Sequence, residues 1–208
     1  NWKAGTSFTN DASSTGIGSI DSSGSFNNDA GFSIVSFVGT GSNATVKHGL
    51  NSAPAWIIFK DRSAVKDWFV YHQSYSPATG GKLNLTVNPG ADSGYFNNTA
   101  TTSSVFSVGN GNTTNASSNN MIAYCFSEVK SFSKFGSYVG NGNTDGTFVH
   151  TGFKPAWVMI KRTDGTNSWV IYDNKREGYN VDNDALQANG NNAEGTSDDI
   201  DLLSNGFK

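Results

Sequence analysis

The feature that most constrains how this chain folds is an internal repeat, in which short motifs recur 101 positions apart. The recurring elements are Pro-Ala-Trp at 54–56 and 155–157, a Trp-led apolar tetrapeptide at 68–71 and 169–172, Val-Gly-x-Gly at 38–41 and 139–142, and the single residues Leu85 and Leu186. Because three motifs keep one spacing, the sequence predicts a duplicated unit of about 100 residues.

The polar composition between these motifs favours an all-β fold. Gly, Asn, Ser and Thr together make up 94 of the 208 residues, and no stretch shows a sustained helical period. Short apolar runs between turn-forming residues are typical of a β-sandwich or barrel. We predict strands near 32–38, 45–48, 55–60, 67–72, 83–87, 104–108 and 121–126, and again near 134–139, 147–150, 156–161, 168–173, 184–188 and 200–203.

This pattern predicts two tandem β-sandwich units of the jelly-roll type. Residues 1–31 are interpreted as the end of a strand followed by a polar linker, 32–131 as the first unit and 132–208 as the second. The strand at 55–60 is apolar on both faces, so it should be central, and one core shared by both units stays an alternative. The second unit lacks a counterpart of the strand at 121–126. We therefore expect the chain to be an excerpt, or a neighbouring chain to supply that strand.

Charge and hydropathy exclude several classes of partner. The formal net charge of −3 leaves no basic stripe for binding a nucleic-acid backbone. The longest apolar runs span about six residues, far below the roughly 20 that a membrane-spanning helix needs. Cys125 is the only cysteine, so it forms no internal disulfide. We expect neither nucleic-acid binding nor membrane insertion.

Acidic residues give little support for catalysis. Glycoside cleavage usually needs two carboxylates about 5 to 10 Å apart, which alternate residues of one strand often supply. The three glutamates, Glu128, Glu177 and Glu194, form no such pattern. We therefore expect no enzymatic activity.

Metal ligands and cofactor motifs are equally sparse. The histidines His48, His72 and His150 lack metal-ligand spacing, and repeated positions such as His48 and His150 suggest hydrogen-bonded residues at strand ends. No motif for a nucleotide cofactor occurs. We expect no cofactor and no transition metal, whereas calcium at 141–145 or 198–201 stays open because both segments carry hard oxygen ligands.

Four repeated aromatic residues are the candidates for a ligand site. Trp68 with Tyr71, and Trp169 with Tyr172, have the ring faces on which sugars stack. Repeated aromatics within strands more often belong to a core, so a core role and a ligand-binding role both stay open for these residues.

Seven motifs spread over almost the whole chain carry a family resemblance. They are Trp-Lys-Ala-Gly at 2–5, Gly-Phe-Ser-Ile-Val-Ser-Phe at 31–37, His-Gly-Leu with a following proline at 48–54, Ile-Ala-Tyr-Cys-Phe-Ser-Glu-Val at 122–129, Ser-Lys-Phe-Gly-Ser-Tyr at 133–138, His-Thr-Gly-Phe at 150–153 and Leu-Leu-Ser-Asn-Gly-Phe at 202–207. With these motifs the chain resembles a module of tail-fibre and other virion proteins of marine bacteriophages. Relatives typically continue to a Tyr-rich strand that ends in Ala-Phe-Ala-Glu.

The resemblance implies a setting and offers no catalytic residues. It implies a virion or extracellular location. We expect a structural or receptor-binding role in a tail fibre or similar appendage, with adhesion to host-surface glycans. The resemblance also implies homo-oligomers, commonly trimers, or contacts with neighbouring virion subunits. The alternatives are a carbohydrate-binding module of a secreted bacterial adhesin or glycan-active enzyme, and a jelly-roll glycosidase or lyase that would use Glu128.

Overall fold

The chain folds into two compact units, each built from antiparallel strands. The computed structural model describes residues 3–176, 180 and 182–208. Unit 1 comprises residues up to 82 together with 89–129, and unit 2 comprises 83–88 and 130–208. The all-β prediction is confirmed, with 38% strand and 4% helix and the character of a β-sandwich.

Unit 1 contains ten strands and two four-residue helices. These are β1 (Thr6–Asn10), α1 (Ala12–Thr15), β2 (Ser22–Asn27), β3 (Phe32–Val38), β4 (Ala44–Lys47), β5 (Trp56–Asp61), β6 (Phe69–His72), β7 (Thr79–Lys82), β8 (Gly90–Ala91), α2 (Ser93–Phe96), β9 (Val105–Val108) and β10 (Asn120–Phe126). Eight of them form one sheet in the order β1-β2-β3-β10-β5-β6-β7-β8, and β4 pairs with β9. The prediction that the β5 segment is a central strand is confirmed, since β5 lies between β10 and β6.

The core of unit 1 lies between the large sheet and the β4–β9 pair. Phe106 of β9 contacts Phe59 of β5 edge to face, with 5.4 Å between ring centroids, and lies 6.0 Å from Phe37 of β3. Phe96 of α2 packs beside them at 5.8 Å from Phe59. Residues of β3, β5 and β10 alternate between this core and the opposite face, as the period of two of a strand requires.

Residues 6–31 correct the prediction of a polar linker. They form β1, α1 and β2, which extend the large sheet from β3. The strands are rich in serine and threonine because one face is exposed, while Phe8 and Phe26 pack against the core. Gly24 lies where an added Cβ would stand 2.0 Å from the Ile34 carbonyl oxygen, so a glycine fits there. The polar composition of residues 6–31 therefore led to the wrong prediction of a loop where two paired strands lie.

Unit 2 contains seven strands in two sheets among its described residues. These are β11 (Val149–His150), β12 (Trp157–Lys161), β13 (Trp169–Asp173), β14 (Asp182–Gln187), β15 (Gly195–Ile200), β16 (Leu202–Leu203) and β17 (Gly206–Phe207). One sheet has the order β12-β13-β14-β15 and the other β11-β17-β16. The small hydrophobic core of this unit is formed by Val158, Tyr172, Ile200, Leu202 and Phe207. Whether the units share a core stays a prediction.

The two hairpins at the centre of the repeat have the same register. In unit 1, Trp56 pairs with His72 and Ile57 with Tyr71. In unit 2, Trp157 pairs with Asp173 and Val158 with Tyr172, which are the same pairs 101 positions later. The predicted duplication therefore appears in the strand pairing as well as in the sequence.

Two predicted strands are wrong. Residues 83–87 form no strand, because β7 at 79–82 takes the place next to β6. Leu85 and Leu186 are therefore not equivalent, since only Leu186 lies in a strand. Residues 134–139 also form no strand, although they match β3 in the repeat. In unit 1, β3 pairs with β10, and the described part of unit 2 holds no counterpart of β10.

Candidate functional site

The large sheet of unit 1 has a side opposite its core, which we call the outer face. Cross-strand pairing arranges this face in three rows, of which one, with Asn27, Phe32, Phe126, Trp56 and His72, carries three buried aromatic rings, and the other two are partly exposed. Of these two rows, one runs Thr9, Ser23, Ser36, Ile122 and Lys60, and the other runs Ser7, Ser25, Ile34, Tyr124 and Ile58. The half formed by β1 to β3 thus presents mainly hydroxyl groups, and the half formed by β10 and β5 presents mainly apolar and aromatic groups.

An aromatic platform lies at the β5–β6 end of the outer face. Trp68 immediately precedes β6 and is 40% exposed. Its ring is stacked near that of Tyr124, with 6.4 Å between centroids and 29° between planes. The Lys60 ammonium lies 5.6 Å from the centre of the Trp68 ring, within the range of a cation–π interaction. Lys60 also donates to the Lys66 carbonyl oxygen, which fixes the lysine across the tryptophan.

A groove of about 370 Å³ lies beside the other half of this face, at the end of the sheet where β1 and β3 end and β2 and β10 begin. It is lined by Thr9, Asn10, Asp11, Asp21, Ser22, Ser23, Ser36, Phe37, Val38, Arg62, Asn120 and Met121. Ser23 and Ser36 belong to both the groove and the row that leads to Lys60. The groove and the platform are therefore parts of one continuous surface.

Hydrogen bonds around α1 shape the acidic end of the groove. Asp11 caps α1, where its carboxylate accepts from the Ser14 amide at 3.1 Å and from the Ser13 hydroxyl at 2.6 Å. These bonds, the Ser13 bond above all, hold the pKa of Asp11 below its usual value. Asp21 accepts from the Ala12 amide at 2.8 Å. The short helix thus places two carboxylates at the groove and keeps Asp11 ionised.

The four aromatic residues predicted from sequence fall in different surroundings. Trp68 lies on the outer face, as a binding residue would require. The structure buries Tyr71 in the core, where it meets Phe96 edge to face at 5.2 Å. Tyr172 is buried in the core of unit 2 and donates to Asp199 at 3.2 Å, and Trp169 is only 5% exposed. Tyr71, Trp169 and Tyr172 are thus inaccessible, because their strand positions face packed neighbours.

Sequence reasoning missed Tyr124 and Lys60, which accompany Trp68. Both lie in segments that were predicted as strands, and alternation within each strand places them opposite the core. The missing information was the neighbour of each strand, because β10 comes 59 residues after β5 in the chain and yet pairs beside it. Strand order of this kind is not readable from local sequence.

His48 is a structural residue, in agreement with the sequence interpretation. It is completely buried at the end of β4. Its Nδ1 accepts from the Leu50 amide at 3.1 Å, and its Nε2 lies 3.1 Å from the Thr102 carbonyl oxygen, to which it donates in the neutral tautomer. Burial lowers the pKa of His48 to about 4, and the bond to Thr102 only partly offsets this. Its counterpart His150 is exposed.

The remaining histidine lies beside a glutamate. His72 accepts from the Ser74 amide through Nδ1 at 3.1 Å. Burial lowers its pKa, while the charge of Glu128 acts in the opposite direction. Glu128 accepts from the Gln73 side chain at 3.1 Å. Glu194 pairs with Arg176, and Glu177 lies outside the described residues.

The candidate calcium segments hold their oxygens in protein contacts. In the 141–145 loop, the Asp145 carboxylate accepts from the Lys208 ammonium at 2.9 Å, so it already forms an ion pair within the protein. In the second segment, Asp199 accepts from Tyr172, and Asp201 lies 3.8 Å from Lys208. The side chain of Asp198 lies outside the described residues. Over the described parts of the chain, no three His, Cys, Asp or Glu side chains form a group suited to a metal ion.

Comparison with known proteins gives a family and no further relative. A family model with the description "Domain of unknown function (DUF7483)" matches residues 1–208. No curated protein and no solved structure matches the chain. None of the described helices has the length and apolar character that crossing a membrane requires.

Proposed function

We propose, from the premise that this chain belongs to the DUF7483 family, that it is a non-enzymatic adhesion module that binds glycans through the outer face of unit 1. We further propose that it serves in a bacteriophage tail fibre or a similar extracellular appendage. The observation that carries the glycan proposal is the exposed Trp68, stacked near Tyr124 and next to a groove rich in hydroxyl and carboxylate groups.

The chemistry of this surface matches that of a sugar. A pyranose ring has an apolar C–H face, which packs on an aromatic ring, and a rim of hydroxyl groups that donate and accept hydrogen bonds. Trp68 offers the ring face. Asp11 and Asp21 offer acceptors, and Arg62 offers a planar donor within the groove. A saccharide that lies along the row from Lys60 to Ser23 would use both halves of the face.

The appendage setting rests on the motif set described above and agrees with the physics of weak sugar contacts. A single shallow site binds a glycan weakly, and several linked copies raise the effective concentration and so the overall affinity. The module would therefore act as a homo-oligomer, with a trimer as one form, or beside neighbouring virion subunits. A carbohydrate-binding module of a secreted bacterial adhesin or glycan-active enzyme would use the same face, and differs in its setting.

Glycan-array binding of the full chain tests the glycan proposal. We expect Trp68→Ala to reduce binding at least tenfold, because the stacking surface is lost, and Arg62→Ala to weaken it by a smaller factor. Trp157→Ala is the matched control, since Trp157 has the same 40% exposure but lies in unit 2. Circular dichroism verifies that each variant is folded. Absence of binding to any glycan, or equal effects of Trp68→Ala and Trp157→Ala, would overturn the proposal.

The setting needs a separate measurement. Antibodies raised against the purified chain should decorate particle appendages in immuno-electron micrographs if the protein is a virion component. Decoration of cell surfaces or capture from culture medium would favour the secreted module instead. The enzyme alternative predicts new reducing ends or unsaturated products from polysaccharides, lost in Glu128→Gln.

A further inference from the structure

The loops that join β5 to β6 and β12 to β13 share a lysine contact. In unit 1 the Lys60 ammonium donates to the Lys66 carbonyl oxygen. In unit 2 the Lys161 ammonium donates to the Asn167 carbonyl oxygen at 2.8 Å, which is the same contact 101 positions later. The lysine therefore bridges the two ends of the loop in both units.

In unit 2 this lysine also binds an oxygen atom from another segment of the same unit. The carbonyl oxygen of Thr86 accepts from the Lys161 ammonium at 3.2 Å and from the Asn167 amide at 2.9 Å. Thr86 belongs to the 83–88 segment, which is part of unit 2. The lysine ammonium and the loop amide thus form two donors, which we call the donor pair, that bind one oxygen acceptor.

The donor pair of unit 1 consists of the Lys60 ammonium and the Lys66 amide. Among the described residues, this amide has no hydrogen-bond acceptor, and the ammonium donates only to the Lys66 carbonyl oxygen. Lys66 is exposed. The neighbouring tryptophans differ in the same sense, since Trp68 is 40% exposed and Trp169 is 5% exposed. The position that Thr86 fills in unit 2 is therefore open to a ligand in unit 1.

The charges around the donor pair of unit 1 favour an anionic ligand. Residues 60–66 carry three cations, which are Lys60, Arg62 and Lys66. None of them forms an ion pair with an acidic residue in the described parts of the chain. The nearby acidic groups have other partners, because Asp67 pairs with Lys82 at 3.0 Å and the buried Asp61 accepts from two backbone amides.

The equivalent positions of unit 2 carry less unpaired positive charge. Thr163 and Asn167 occupy the positions that correspond to 62 and 66. Arg162 forms an ion pair with Asp164 at 2.6 Å, which leaves one cation of residues 161–167, Lys161, outside an ion pair. The acceptor bound there is an uncharged carbonyl oxygen. The three cations of unit 1 match an acceptor that carries a negative charge.

We propose that the platform of unit 1 binds an acidic glycan, and that the Lys60 ammonium and the Lys66 amide bind a carboxylate group of its sugar. This inference rests on the proposed glycan binding and names its ligand class. Hydrogen bonds from an ammonium to a carboxylate are stronger than those to a neutral oxygen. Because the Lys60 ammonium lies 5.6 Å from the centre of the Trp68 ring, a sugar packed on that ring can direct an exocyclic carboxylate to the ammonium.

Paired oligosaccharides test the need for a negative charge. The probes are hexamers of glucuronate, galacturonate and mannuronate, each compared with its methyl ester, which keeps the sugar ring and removes the charge. Isothermal titration calorimetry with the full chain measures binding. We expect at least one acid to bind tenfold more tightly than its ester. A tenfold higher salt concentration should weaken binding of the acid and leave that of the ester unchanged, because salt screens exposed charges.

Matched variants locate the carboxylate contact. Lys60→Gln should abolish the preference for acid over ester, and Lys60→Arg should retain most of it. Lys47→Gln is the control, since Lys47 lies in β4 of the same unit and its ammonium also lies near an aromatic ring, 5.9 Å from the centre of Phe8. It should keep the full preference. Trp68→Ala should weaken acid and ester alike. Circular dichroism verifies that each variant is folded.

The outcomes separate this inference from the glycan proposal on which it rests. Equal binding of acids and esters, or binding of neutral glycans only, would overturn the acidic preference and leave glycan binding intact if Trp68→Ala still removes it. An equal loss of preference in Lys60→Gln and Lys47→Gln would overturn the assigned contact. Absence of binding to every glycan would overturn both proposals. Binding of a peptide with the sequence of residues 83–88, lost in Lys60→Gln, would instead identify a polypeptide as the ligand and overturn the acidic glycan.

Discussion

Units 1 and 2 differ in how they cover the same hairpin. The β5–β6 and β12–β13 pairs agree residue by residue, and the same positions face the core, with Tyr71 in one unit and Tyr172 in the other. The inward positions 59 and 69 hold phenylalanine in unit 1, whereas their counterparts in unit 2 are Ile160 and Val170. The geometry of the hairpin is the same in both units, whereas the size of its inward side chains differs.

This contrast shows that register and burial have separate causes. Register follows from alternation and backbone pairing within the hairpin, so it survives in both units. Burial depends on additional elements, which in unit 1 are β10, β9 and α2. The tryptophans show this separation, because Trp56 is buried where Trp157 is exposed, and Trp68 is exposed where Trp169 is buried. Sequence equivalence therefore predicts the strand position of a residue and not its exposure.

We expect the largest loss of stability when two phenylalanines 101 positions apart, Phe106 and Phe207, are each replaced by alanine. Phe106 is 1% exposed among the rings of Phe37 and Phe59, so Phe106→Ala should lower the free energy of unfolding of unit 1 by about 4 kcal/mol. Phe207 is 9% exposed and meets Tyr138 edge to face, so Phe207→Ala should cost unit 2 about 2 kcal/mol. Hydrogen exchange of the strands in each unit measures both values. Equal losses would show that the two cores are equally packed.

The two repeated histidines should differ in how strongly they make the stability of the fold depend on pH, and this effect is smaller. The folded-state pKa of His48 is lowered to about 4, below the ordinary value of 6.5, so folding favours the neutral ring. The stabilisation that the neutral His48 ring gives to the folded state is complete above the pKa that His48 has in the unfolded chain. It is lost as the pH falls from about 6.5 towards 4. The loss should reach about 3 kcal/mol at pH 4. Charging the ring would also set an Nδ1 proton against the Leu50 amide.

Unfolding in urea between pH 7 and pH 4 checks this expectation. The pH-dependent loss should disappear in His48→Gln, whose stability at pH 7 should also be lower. His150→Gln is the control, since His150 is exposed, and should keep the full pH dependence. A wild-type chain whose unit 1 is equally stable at both pH values would contradict the assigned role of His48.

Strands with strong apolar alternation were predictable from sequence. The predicted 32–38 coincides with β3, and β5 and β10 begin or end within one residue of their predicted bounds. By contrast, β1 and β2 were missed, because Ser, Thr, Asn and Gly form a strand there only through pairing with β3. The predicted strand at 134–139 failed for the converse reason, since its pattern matches β3 while the described part of unit 2 holds no counterpart of β10, the strand that pairs with β3.

The candidate site was predictable only in part. Trp68 was one of four repeated aromatic candidates, and it is the one of the four that the structure leaves accessible. Tyr124 became its neighbour through the order of strands in the sheet, which brings β10 beside β5. The groove depends on α1 and on the capping of that helix by Asp11, within a segment that composition had assigned to a linker.

We expect the smallest loss of stability when the first glycine of the repeated Val-Gly-x-Gly motif, Gly39 or Gly140, is replaced by alanine. A Cβ on Gly39 would stand 2.1 Å from the Ala116 carbonyl oxygen. The Gly39 amide donates to Asn119 at 2.9 Å and its carbonyl accepts from Ser118 at 2.8 Å, so the backbone cannot move away without losing these bonds. Gly39→Ala should therefore destabilise unit 1 by about 2 kcal/mol, measured by urea unfolding.

Gly140 is the matched control for Gly39, because it has the same place in the second copy of the motif. No heavy atom lies within 4 Å of a Cβ placed on Gly140. Gly140→Ala should therefore change the stability of unit 2 by no more than about 0.5 kcal/mol. The pair would then show that one motif is a close-packed contact in unit 1 and an exposed turn in unit 2. A loss at Gly140 as large as at Gly39 would instead mean that residues near 140 are closely packed.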